Sequence, residues 1–158
     1  MQIKSTEDLI WTKKKVLEKQ LYNKLVGSLL KKGYKITAIK ILSEAFSILK
    51  KKTGHSFSFL IWRLFYKLQV TIDVRTVLIR GRTHIVPFKT KAHRRVYLVT
   101  KWLIDAVVLN KKKRSMVASI VKEFLLVYKN KKSSKAVSAR QSNLEKALSN
   151  RANIHYRW

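Results

Sequence analysis

The chain has 158 residues, 46% of them hydrophobic, with 36 Lys and Arg against eight Asp and Glu and a formal charge of +28. That apolar content excludes a disordered basic tail, and the charge repels itself in isolation, so a folded protein in polyanionic surroundings is expected, nucleic acid first and anionic lipid second. Cysteine is absent, which excludes disulfides and thiolate metal sites, while one Pro and four Gly favour helices over a turn-rich sandwich.

The length fits one domain with a single core. Residues 1–15 lack clear periodicity and end in Lys13-Lys14-Lys15. They are expected to form an extended basic arm, at most with a short helical piece. They carry Glu7 and Asp8 and no Arg, unlike an Arg-rich, acid-poor presequence, so the protein stays where it is made or its address lies elsewhere. From Val16 the spacing turns helical: Leu17, Leu21, Leu25 and Leu29 recur every four residues, with Tyr22, Val26 and Leu30 beside them. Gly33 stands where a C-cap glycine belongs. A second helix is predicted over about 35–52, with Ile39, Leu42, Ala45, Phe46 and Leu49 as its buried face. A third starts at Ser56 as N-cap and carries Leu60, Ile61, Leu64, Phe65 and Leu68. Its apolar run, 57–66, is broken by Arg63 and is far shorter than the roughly 20 residues of a membrane-spanning helix.

The period then changes. Val70, Ile72 and Val74 alternate with Thr71, Asp73 and Arg75, and Arg80-Gly81-Arg82 is a turn. The pattern predicts a β-hairpin over about 70–88 with Gly81 in its tip. A lone two-stranded ribbon is marginal, so it is expected to project as an arm steadied by a partner. Helix resumes at about Arg94 with Val96, Val99, Leu103 and Val107, and Asn110 can cap its end. Ser115 caps a fifth helix bearing Val117, Ile120, Val121, Phe124, Leu125 and Tyr128. A last, thinly apolar helix spans about 134–148, and 149–158 form a basic, aromatic tail. The expected architecture is mainly α: one domain of about six helices, 16–148, with a protruding hairpin arm.

Catalysis is not expected. His55, His84, His93 and His155 show no i, i+4 metal spacing, and no phosphate loop, dinucleotide fingerprint or nucleophile elbow occurs. No cofactor or metal is implied. The basic runs point to phosphate instead, because ordinary solvated helices mix signs and these do not. The runs sit at junctions: Lys13, Lys14, Lys15; Lys31, Lys32; Lys50 to Lys52; Lys111, Lys112, Lys113, Arg114; and Lys131, Lys132, Lys135. The hairpin adds Arg75, Arg80, Arg82, Lys89 and Lys91, followed by Arg94 and Arg95. The tail, Arg151 to Trp158, interleaves cations with aromatics, which suits either stacking on unpaired bases or packing of Tyr156 and Trp158 back onto the helices. A nucleoid-type DNA-binding protein shares the charge and the ribbon, and a lipid-surface protein would need an amphipathic helix with boundary aromatics.

The order of these motifs resembles the small-subunit ribosomal protein S-seven family of bacteria and organelles. Ala152-Asn153-Ile154-His155-Tyr156-Arg157-Trp158 is similar to its "A-H-Y-R-W" ending. Thr71-Ile72-Asp73-Val74-Arg75, then Gly81, Val86-Pro87 and Arg94-Arg95, follow its hairpin spacing. Trp102 to Ala106 is similar to "R-W-I-V-E-A-A", Lys113 to Met116 to "D-K-S-M", and Gly33-Tyr34-Lys35 to "G-K-K". The match covers roughly 20–158. The chain departs at Gln69-Val70 for Arg-Pro, at Val77-Leu78 for two Arg, at Arg80-Gly81 for Gly-Gly, and at His84 for a tyrosine. These changes suggest a divergent mitochondrial member, with a plastid or the bacterial cytoplasm as alternatives; the Lys-over-Arg bias suits an AT-rich coding genome.

The resemblance implies a structural protein that binds the 3′ major domain of small-subunit rRNA and helps organise the subunit head among neighbouring proteins of head and platform. It places the ribbon and C-terminus near the exit-site tRNA and the mRNA path. It implies rRNA contact at Lys35, Arg75, Arg94, Arg95 and Arg114. The lysine runs named above other than Lys50 to Lys52, with Lys89, Lys91 and Arg140, join them as rRNA candidates. The resemblance implies the exit-site side for Arg80, Gly81, Arg82, Arg151, His155, Tyr156, Arg157 and Trp158.

Overall fold

Among the described residues, six α-helices and one two-stranded ribbon make up the domain, the mainly α architecture expected. The computed structural model describes residues 6–110, 115–131 and 133–157, with side chains from Lys15 onward. In chain order the elements are α1 (Thr6–Leu29), α2 (Lys35–Thr53), α3 (Phe57–Leu68), β1 (Ile72–Ile79), β2 (Arg82–Lys89), α4 (Ala92–Asn110), α5 (Met116–Tyr128), α6 (Lys135–Ser149) and a closing 3₁₀ helix (Arg151–Tyr156).

Helix α5 is the hub, packing on α2, α3, α4 and α6 through Ile120, Val121, Phe124 and Val127, all buried. Four aromatic rings run across the bundle edge-to-face. Tyr22 of α1 meets Phe57 of α3 at 5.7 Å, Phe57 meets Phe46 of α2 at 4.6 Å, and Phe46 meets Phe124 at 5.7 Å. Such perpendicular pairs add to burial because ring edge and ring face carry opposite partial charge.

Serine caps fix three helix starts. Ser56, Ser115 and Ser134 are extended, and each hydroxyl accepts from the amide three residues on, Phe59, Ala118 and Val137. Helix α5 ends in a Schellman turn: Asn130 has φ +52°, its N–H donates to Val127 O at 2.9 Å, and Lys131 N–H donates to Leu126 O at 3.0 Å.

Three expectations need correction. Residues 6–15 are helical rather than an extended arm, since lysine is a good helix former and Glu7 and Asp8 fall in the first turn, where negative charge suits the helix dipole. Gly33 is not the C-cap of α1, which ends at Leu29. It follows Lys32 in a tight turn in which both residues have positive φ and Tyr34 N–H donates to Lys31 O at 3.1 Å. Ile39 is exposed, and Ala38 takes its place, because the face of α2 turned to the core runs Ala38, Leu42, Ala45, Phe46, Leu49.

The ribbon pairs antiparallel from Ile72 opposite Lys89 to Ile79 opposite Arg82. Its loop is Arg80-Gly81, with φ +49° and +76°, the type I′ form whose twist suits a hairpin. Support comes from within the chain: α6 packs on β1, and the 3₁₀ helix packs on β2.

Among the described residues the most buried carboxylate is that of Glu123 of α5, with no exposed surface. Its Oε1 accepts from Ser134 Oγ at 2.6 Å and from Ala136 N–H at 3.1 Å, and its Oε2 accepts from Asn110 Nδ2 at 2.8 Å. One carboxylate therefore joins the end of α4 to the start of α6. Glu123→Ala strands three donors and is expected to cost on the order of 3 kcal/mol in urea unfolding. Ser134→Ala removes one donor and one cap and should cost about 1 kcal/mol. The double variant should lose less than the sum, because both changes break one network.

Candidate nucleic-acid interface

At the base of the ribbon, Asp73 is almost fully buried on β1. Its Oδ2 accepts from Arg94 Nε at 2.9 Å and lies 2.9 Å from Arg94 Nη2, while Oδ1 accepts from Val74 N–H at 3.0 Å. Thr90, also buried, donates its N–H to Thr71 O and its hydroxyl to Val70 O, both at 2.8 Å. Arg95 donates from Nε and Nη2 to Thr90 O at 3.4 Å. Arg94 and Arg95, both sequence candidates for RNA contact, therefore also weld the ribbon to the start of α4. Arg94 still exposes 37% of its side chain, with its guanidinium 5.0 Å over the ring of Tyr97.

Beside this weld, Gln20, Asn23 and Lys24 of α1 face His93, Arg94, Val96 and Tyr97 of α4 across a groove of about 540 Å³. Sequence reasoning missed the α1 side of this groove, along with His93 and Tyr97. The one readable signal was Tyr97, which lies i+3 from Arg94 and so shares its helix face.

The ribbon tip meets the tail. Ile79, Arg80, Arg82 and His84 line a cleft of about 770 Å³ with His155 and Tyr156. The ring of Tyr156 lies 4.9 Å from that of His84 and 3.8 Å from that of His155. Asn153 Nδ2 donates to Ile85 O at 3.0 Å, and His155 Nδ1 lies 2.8 Å from Ala152 O. Residues some 70 positions apart thus form one basic, aromatic surface. The tail packs on the ribbon, where the alternative to base stacking had it returning to the helices.

Other candidates stand on separate elements. Lys31 and Lys32 lie exposed in the α1–α2 turn, and Lys35 opens α2. Arg75 is exposed on β1 with its guanidinium 5.2 Å over Phe88. Lys89 ends β2 and Lys91 follows it, while Arg151 opens the 3₁₀ helix and Arg157 follows it, all exposed. Lys131 and Lys135 are exposed on either side of the turn that Glu123 secures. Arg140 of α6 is half-buried, and its Nε has no hydrogen-bond partner. Lys13, Lys14 and Lys15 lie on the helical backbone of α1. Lys111, Lys112, Lys113, Arg114, Lys132 and Trp158 lie outside the described residues.

Among the described residues no group of three His, Asp or Glu could hold a metal ion, and no helix is long and apolar enough to cross a membrane. Asp73→Asn is expected to leave the helical core intact and loosen the ribbon base. Hydrogen exchange at Val74 and Thr90 should speed up relative to α5, and global stability should fall by about 1 kcal/mol. Exchange that rises equally in α5 would refute a local weld.

Comparison with known proteins finds a match between residues 2–151 and the family described as ribosomal protein S7p/S5e. Small ribosomal subunit protein uS7 of Pelagibacter ubique is 33% identical over 135 residues, 85% of each chain. That of Thermodesulfovibrio yellowstonii is 30% identical over 141 residues, 89% of this chain and 88% of its own. The uS7m protein of Reclinomonas americana is 28% identical over 148 residues, 90% of this chain and 91% of its own.

Proposed function

The chain belongs to the ribosomal protein S7p/S5e family, and from that premise we propose that it binds the 3′ major domain of small-subunit rRNA and helps organise the subunit head. It is a structural protein of the small ribosomal subunit and not an enzyme, as its relatives are.

The observation that carries the rRNA reading is the segregation of charge. The buried carboxylates, Asp73 and Glu123, tie elements together, Asp73 through Arg94, while Lys31, Lys32, Lys35, Arg75, Lys89, Lys91, Lys131 and Lys135 are exposed to solvent. Such a surface neutralises phosphates from several RNA segments at once and releases their counterions. Helix ends, ribbon and grooves supply shape fit, the usual basis for recognising folded RNA. Neighbouring proteins of the head and platform complete its surroundings.

The cleft of Arg80, Arg82, His84, His155 and Tyr156 is the surface for transient RNA, with mRNA and exit-site tRNA as its ligands. Aromatic rings beside guanidinium groups offer stacking and phosphate contact together. We place the protein on the mitochondrial ribosome, a setting in keeping with the uS7m relative of Reclinomonas americana. Bacterial relatives match as closely, and fractionation of source cells decides between the compartments.

Binding to a transcript of the 3′ major domain should weaken by about 10³-fold or more between 50 and 200 mM salt, as expected for six or more phosphate contacts. A nearly flat salt dependence sinks the rRNA reading. In competition, structured rRNA should displace duplex DNA; the reverse order would favour a DNA-binding protein.

A further inference from the structure

Among the described residues, three non-glycine residues have positive φ: Lys32 at +50°, Arg80 at +49° and Asn130 at +52°. Asn130 is unsurprising, since asparagine is the side chain that best tolerates the left-handed region and here closes a helix. Lys32 and Arg80 are different. Each is the first central residue of a two-residue turn whose second is a glycine of positive φ, Gly33 or Gly81. This is the pattern of a type I′ turn, which favours Asn-Gly or Gly-Gly. Both positions hold long cations instead.

The chain supplies no local compensation for this choice. Both side chains are exposed, and neither makes a hydrogen bond, ion pair or ring contact with a described residue. A disfavoured backbone conformation persists where the surroundings or a ligand favour it. We infer that Lys32 and Arg80 are turn-tip phosphate contacts, kept in left-handed backbone at the expense of stability so that each extends a cation beyond the fold toward an RNA backbone. The inference rests on the RNA-binding reading above and adds to it which cations matter and why. At Arg80 the geometry is fuller, because Arg82, His84 and Tyr156 line the same cleft. The glycine after each cation is required by its own φ, since an added Cβ at Gly33 or Gly81 would meet nothing in the protein and yet would be strained there.

The test uses the full chain with Lys32→Asn and Arg80→Asn, separately. Each is measured in thermal melts, in binding to the 3′ major domain transcript, and, after assembly into small subunits, in retention of deacylated tRNA. Each substitution should raise Tm by roughly 2 °C, as relief of left-handed strain in a chain of this size implies. Each should also weaken one of the two RNA contacts several-fold, lowering the salt slope by about one where the loss falls on rRNA. The arm that loses identifies the RNA concerned. Arg80→Lys keeps charge and strain and should match the parent in both respects. A turn whose Asn variant binds both RNAs like the parent, or melts no higher, is not such a contact. The salt dependence of the unsubstituted chain tests the underlying rRNA reading independently.

Discussion

The carboxylate of Glu123 holds the C-terminal half of the molecule together. A charged group with no exposed surface is tolerated only when its hydrogen-bonding capacity is met. Here the donors come from the last residue of α4, the N-cap of α6 and the second residue of α6. Two helix ends are thereby tied to the middle of α5, the helix that touches most of the core. The same carboxylate sits at the positive end of the α6 dipole, where an anion is favoured. Asp73 plays the matching part at the ribbon base, where it orients Arg94 and the Val74 amide of β1. The few acids of this chain do not balance its charge; Asp73 and Glu123 set its geometry.

That arrangement bears on how a chain of +28 stays folded. Exposed cations repel one another, and the repulsion is screened within about 8 Å at physiological salt. Against it stand the apolar faces of all six helices and the aromatic relay from Tyr22 to Phe124. The basic junctions lie at the edges of this core. Lys50, Lys51 and Lys52 complete the last turn of α2, where positive charge complements the helix dipole, so these lysines have a structural reason to be present. Lys32 and Arg80 have no such local reason, which is what singles them out within the crowd of cations.

Local chemistry was legible in the sequence, and long-range contact was not. Ser56, Ser115 and Ser134 announce their helices because a capping hydroxyl acts three residues away. Gly81 announces its turn because glycine accepts left-handed backbone freely, whereas the left-handed Arg80 before it gave no such signal. The basic run at Lys13 hid the start of α1, since a run of like charge reads as an arm although lysine favours helix. Ile39 and Ala38 were confused because both fit an apolar stripe, and only the packing partners α5 and α1 decide which one turns inward. Glu123 gave no signal at all: a glutamate between Lys122 and Phe124 reads as a surface residue until its distant donors are in place. The groove between α1 and α4 was hidden for the same reason, being built from residues some 70 positions apart.

The joining of ribbon and tail follows the same logic. Each segment is marginal alone: a two-stranded ribbon has too little buried surface, and a six-residue 3₁₀ helix has strained hydrogen bonds. Together they share the Asn153 bond to Ile85 O and the ring contact between His84 and Tyr156. That contact explains how this chain accommodates histidine where the S-seven pattern has tyrosine. An imidazole is still a flat ring able to meet Tyr156, so the exchange preserves the joint while changing the polarity of the cleft. The Gly-Gly to Arg80-Gly81 exchange acts in the opposite sense, keeping the turn type while adding strain and a cation. One departure conserves packing and the other sacrifices backbone comfort, and both fall in the cleft that ribbon tip and tail line together.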